Sequence, residues 1–191
     1  MRANSFTTRL LLLINVPIIA IAINLYKNDF QRPSPGMFPE LKGETLEGRK
    51  VVFPVDLDEE VNILILAFEQ KAQPLVNTWA NLILDEYEPR KGVSYYEIPM
   101  ISTLYLPIAW QIDNWMRDGI PAHLHDNTVT FYGNRSPYFE MLEIEDKESC
   151  YLFIIDRRGN IKYRTQGPVS ENNETSFREA MAETLLSKGL M

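Results

Sequence analysis

The chain has 191 residues, 45% of them hydrophobic and 24% charged, which is enough apolar mass for one folded domain plus an appendage and excludes a disordered polymer. A formal net charge of −7 without any basic cluster excludes a surface that displaces counterions from nucleic acid. Its single cysteine, Cys150, excludes an internal disulfide, so packing alone must hold the fold.

The appendage is residues 1–30. Between Leu10 and Tyr26 the chain is apolar for about 17 residues, at the short end of what crosses a hydrocarbon core at ~1.5 Å per residue. Arg2 and Arg9 precede this run with no acid among them, while Lys27, Asp29 and Arg32 nearly cancel after it. This bias keeps the amino terminus cytoplasmic and puts the domain on the other side of the membrane. The preferred reading is therefore an uncleaved signal anchor, single-pass, with an extracytoplasmic domain. Two others stand beside it: a secretory signal cleaved after Ala22, since Ala20-Ile21-Ala22 is a small-x-small site, and the start of a mitochondrial presequence. Residues 31–36, rich in proline and glycine, make a linker to a domain over residues 37–191.

Within the domain, residues 61–68 are almost continuously apolar, as expected of a central strand covered on both faces. Leu75, Val76, Trp79, Leu82, Ile83 and Tyr87 then recur at helical spacing, with Pro74 in the first turn and Pro89 ending the pattern. A second strand is predicted over residues 93–101. Another helical stripe runs from Pro107 through Ile108, Ile112, Trp115 and Met116 to just before Gly119. Residues 128–132 alternate as a strand, residues 138–142 read as a short helix, and residues 151–156 as a further strand. Gly159 supplies the turn of a hairpin returning along residues 160–164, and Phe177, Met181 and Leu185 line a closing helix. This order implies a mixed α/β sheet flanked by helices.

The strand-Asp156-Arg157-Arg158-Gly159-Asn160-Ile161 passage resembles the hairpin of thioredoxin-like and peroxiredoxin-like proteins, and Met37-Phe38-Pro39-Glu40-Leu41 with Thr45-Leu46-Glu47-Gly48 resembles the start of extracytoplasmic redoxin domains. The resemblance implies a thioredoxin-like mixed sheet over roughly residues 37–187. In such proteins a CxxC pair sits after the first core strand, where helix amides stabilise a thiolate. Here Phe68-Glu69-Gln70-Lys71-Ala72-Gln73-Pro74 stands in that place with no sulfur, and Cys150 falls where family spacing expects a cis-proline. Among members without CxxC, the chain most resembles the mitochondrial F-type ATP synthase assembly factors, which help incorporate a membrane subunit of the Fo sector. The residues that carry this likeness are the cysteine-free helix with Trp79, residues 128–133, and the Asp156 hairpin followed by Gln166-Gly167 and an acidic helix.

Together these readings give a redox-inactive, membrane-anchored binder of a membrane-protein client, with no cofactor. Gln73, Pro74, Leu104, Tyr105, Pro107 and Trp110 are the expected contacts, because residues 104–110 are a mostly apolar insertion with aromatic and proline anchors. For Trp79, Trp110, Trp115, Tyr95, Tyr96 and Tyr105 taken together, core packing is the default expectation. Two alternatives remain: a one-cysteine redoxin using Cys150, and a metal or small-ligand site at His123 and His125, which an extended chain would place on one face. The compartment is the inner membrane for a mitochondrial chain and the periplasmic side for a bacterial one.

Overall fold

A computed structural model describes residues 36–87 and 90–190; the apolar run 10–26, most of the linker, and Pro89 lie outside them. Seven strands form one sheet in the order β2-β1-β5-β4-β3-β6-β7. The central strand β3 (Val61–Ala67) is apolar except for Asn62 and buried along nearly its whole length, because it is paired and covered on both sides. It runs parallel to β4 (Val93–Ser102) and antiparallel to β6 (Cys150–Asp156), with Ala67 opposite Cys150. The outer strand β7 (Ile161–Gln166) continues from β6, and β5 (Val129–Gly133) joins β4 in parallel. A hairpin of β1 (Leu41–Thr45) and β2 (Lys50–Phe53) completes the far side by pairing β1 with β5.

Helix α1 (Gln73–Glu86) follows β3, with Pro74 in its first turn, where its missing N–H removes no intrahelical bond. It packs on β3, β4 and β6 through Val76, Trp79 and Ile83. Trp79 is fully buried, lies edge-on to Phe177 at 5.2 Å, and donates its indole N–H to the carbonyl of Gly167 at 2.8 Å. Each such large side chain stabilises the fold by roughly 1.5–3 kcal/mol through the area it removes from water. Phe177 belongs to α4 (Glu171–Ser187), which opens on a Ser170/Asn173 capping box that satisfies two amide N–H groups. The opposite sheet face is closed by Phe38 on Phe153 and by Tyr138, from the short α3 (Ser136–Met141), on Phe131.

The β6–β7 turn explains its own sequence. Asp156 accepts N–H groups from Arg158 and from both backbone and side chain of Asn160. Gly159 takes φ +83°, and a Cβ there would lie 2.6 Å from Pro54. Burial opposes charge on Asp156, but Asn160, Arg158 and Lys162 outweigh it and hold the carboxyl below its ordinary range.

The expected strands and helices thus form, with ends moved by a residue or two. Two segments differ. Residues 41–53, assigned no element from sequence, make the β1–β2 hairpin, whose inward row is Leu41, Gly43 and Thr45 on β1 and Val51 and Phe53 on β2, with Lys42 and Glu44 turned outward. The stripe from Pro107 divides into a 3-10 helix (Thr103–Ile108) and α2 (Ala109–Gly119), which buries no side chain completely.

Candidate functional site

The expected contacts Gln73 and Pro74 stand where β3 ends and α1 begins. The turn after β3 places Glu69, Gln70 and Lys71 in solvent and tucks Ala72 under the sheet. Gln73 and Pro74 are exposed at the start of α1, and Gln73 donates to Asn77 at 2.9 Å. Arg135 ties the strand ends together: its guanidinium donates to the carbonyls of Phe68 and Met100 and meets Glu69 at 3.4 Å. Lys71 pairs with Glu148, so the segment before β6 closes over the place of a dithiol with an ion pair. None of these groups is a nucleophile.

Cys150 stands beside this turn but faces inward. Its side chain is fully buried, the thiol donates to the Gly167 carbonyl at 3.2 Å, and burial pushes its pKa up to about 11 against the help of that backbone. A thiol held that way is a core side chain with little thiolate near neutral pH. Among the described residues the one cis peptide bond is Phe53–Pro54, so the bond preceding Cys150 is trans.

The histidines are not brought together by an extended chain. Residues Ala122–Leu124 form a single 3-10 turn, His123 is exposed, and the Nε2 of His125 sits 2.9 Å from the carbonyl of Ile120. Asp126 is engaged by both N–H arms of Arg49. Among the described residues no group of three His, Cys, Asp or Glu side chains has metal-binding geometry.

The insertion after β4 is different. Leu104 is 86% exposed, Trp110 64% and Trp115 61%, and Tyr105, Leu106 and Ile108 are also in solvent. Core packing therefore holds for Trp79 and Tyr95, whereas Tyr105, Trp110 and Trp115 form an exposed apolar ridge. The ridge is mounted rigidly. Ser102 accepts from the Leu104 amide at 3.4 Å, Arg117 donates to the Leu46 carbonyl at 2.7 Å, and the Tyr132 hydroxyl lies 2.7 Å from the Asp113 carboxylate and 3.2 Å from the Ala109 carbonyl. Burial first, then the Asp113 bond, raises the Tyr132 pKa, so that hydroxyl stays protonated as a donor.

Sequence reading missed one residue in this neighbourhood, Glu97. It is a half-buried acid on β4 whose carboxylate accepts from the Tyr95 hydroxyl. Its signal was available: Val93, Tyr95, Glu97, Pro99 and Ile101 share one face of a strand, and a carboxylate breaks that apolar row.

A thioredoxin-like sheet whose turn after β3 carries no sulfur defines a member of that fold without the CxxC pair. The ATP10 protein family profile matches residues 27–183, and the chain belongs to this family of ATP synthase assembly factors. No curated protein sequence matches it. Among solved structures it is similar to BsSco, a member of the Sco family of cytochrome c oxidase assembly proteins, at 14% identity and TM-score 0.54 over 83% of this chain and 99% of that one. A thiol:disulfide interchange protein DsbE from Chlorobium tepidum matches at 12% identity and TM-score 0.53, covering 81% of this chain and 99% of the other. The exposed lipoprotein thioredoxin of Streptococcus pneumoniae matches at 10% identity and TM-score 0.50 over 75% and 98%. At these identities the likeness shows the fold alone.

Proposed function

We propose that this protein is a membrane-tethered assembly factor that holds a membrane-protein client, a subunit of the ATP synthase Fo sector, against the ridge of Leu104, Tyr105, Pro107 and Trp110, with Gln73 and Pro74 at its border. The observation that carries the reading is the exposure of six large apolar side chains within residues 104–115 of a domain whose core is otherwise closed. Large apolar side chains left in water along one stretch of chain mark a surface for a partner. Family membership supports the choice of client, and the apolar run 10–26 supports a tether that keeps the domain beside a membrane protein. The family's association with the mitochondrial inner membrane supports that compartment for a eukaryotic chain.

Affinity capture of the full-length chain from detergent-extracted membranes, with mass spectrometry of co-purifying proteins, tests this. Fo subunits should be enriched with the wild-type chain and reduced about tenfold by Leu104→Ser combined with Trp110→Ala, a change of about 1.4 kcal/mol in binding. Both positions are exposed, so the melting temperature should hardly move. Equal recovery of Fo subunits with wild type and variant would sink the ridge as the client site.

A further inference from the structure

The sheet face beneath α1 is not uniformly closed. On β4 the residues of that face are buried at Val93 and Tyr95 but only half-buried from Glu97 through Pro99 to Ile101, while Ile98 and Met100 on the other face are fully buried. Helix α1 borders this strip at Gln73, whose side-chain amide helps to hold the Glu97 charge. Helix α2 borders it on the other side, held by Tyr132, which lies opposite Ile101 in the β4–β5 register. The strip is therefore a partly open row on the sheet between α1 and α2, a shallow groove whose one charged floor residue is an acid. Among the described residues no lysine, arginine or histidine pairs with Glu97.

We infer that this groove receives an apolar protein segment carrying a lysine or arginine, whose charge is met by Glu97. The inference rests on the client-binding reading above and deepens it by naming the chemistry of the segment. An apolar chain laid over the strip must remove Glu97 from water, and a carboxylate buried without a cation is strongly unfavourable. A matching cation removes that penalty and disfavours segments that lack it, so Glu97 selects partners as well as holding them. Burial already pushes the Glu97 carboxyl above its ordinary range, against the help of Tyr95 and Gln73, as expected of an acid waiting for a counter-charge.

Charge also argues against a lipid surface as the occupant. Arg2, Arg9, Lys27 and Arg32 precede residue 33 with Asp29 as the single acid, so the domain itself is more acidic than the −7 of the whole chain. Beside this strip stand the acids Glu97 and Asp113 and two arginines that are already engaged, Arg117 by the Leu46 carbonyl and Arg135 by Glu69 and the Phe68 and Met100 carbonyls. An anionic leaflet attracts basic segments and repels such a surface.

The experiment uses the full-length chain in neutral detergent micelles and two blocked peptides of leucine, alanine and serine, identical except for a central lysine in one and norleucine in the other. Binding is read by isothermal titration calorimetry, so that wild type and Trp110→Ala are measured alike. The lysine peptide should bind the wild-type chain about tenfold more tightly than the norleucine peptide. Glu97→Gln should abolish the preference, Glu97→Asp should keep it, and Trp110→Ala should weaken both peptides. Equal affinity of the two peptides for the wild-type chain overturns the inference without needing any variant. If Trp110→Ala still weakens both in that case, the ridge stands and only the charge selection falls; if Trp110→Ala changes neither, the client-binding reading falls with it. Blue-shifted emission from Trp110 and Trp115 in phosphatidylcholine–phosphatidylserine vesicles before any peptide is added would give the groove to the bilayer and also overturn the inference.

Discussion

Cys150 has the strand position that brings it closest to the chemistry of its superfamily, yet its surroundings withhold that chemistry. An ordinary cysteine, with a pKa near 8.5, is roughly a quarter thiolate at pH 8, whereas one at about 11 is about a thousandth thiolate. Because the acid form is the favoured one, reactivity should climb only as pH approaches that raised value. The native chain at pH 8 should therefore label very slowly with a disulfide-exchange reagent and completely after denaturation in urea. It should also reduce insulin disulfides no faster than Cys150→Ser does. Rapid stoichiometric labelling of the folded chain would restore the one-cysteine redoxin as a contender. Sequence alone showed that one thiol exists and has no partner; it did not show which way the thiol points. That follows from the register placing Cys150 opposite Ala67, with Gly167 closing over the sulfur.

At the level of elements, long apolar runs and helical stripes were readable because their burial is decided locally. β3 and β6 are apolar on both faces, α1 repeats its contacts every turn, and Gly159 permits only one kind of hairpin. The β1–β2 hairpin was not readable, because the inward row of β1 is Leu41, Gly43 and Thr45, with only Leu41 apolar, and its pairing with β5 joins residues far apart in the chain. The limits of periodicity are plainest at α2. Ile112, Trp115 and Met116 do mark an apolar side of a helix, but periodicity reports that such a side exists and says nothing of what covers it; here Trp115 is in solvent. With no fully buried side chain, α2 depends on the polar links from Tyr132 and Arg117 for its position. Tyr132→Phe removes one of them and should cost about 1 kcal/mol. Amide exchange should accelerate across α2 while α1, anchored by Trp79, stays protected. Uniform acceleration in both helices would mean that the ridge is not a separately mounted element.

For the molecule as a whole, the fold is held by an aromatic and aliphatic core with no disulfide, and its affinity for a client depends on how far the domain is free to wander. Under the proposed tether, the 17 residues of run 10–26 at ~1.5 Å each would span about 26 Å against a hydrocarbon core of about 30 Å, a fit that requires local thinning or Tyr26 and Lys27 reaching into the interface. A tether of that kind confines the domain to a thin layer and raises the effective concentration of a membrane-embedded client to the millimolar range for a short linker. It follows that anchor and ridge should act together, although each is separable. The full-length chain should stay in the membrane pellet at alkaline pH, and deletion of residues 10–26 should release it. The released domain should keep its melting temperature and its preference for the lysine peptide, but should lose most of its Fo capture from membranes. If the wild-type chain is itself extracted, or if its mature form begins at Ile23, the tether is absent and the ridge must supply all of the affinity. Capture by the deleted form would then match that of the wild-type chain.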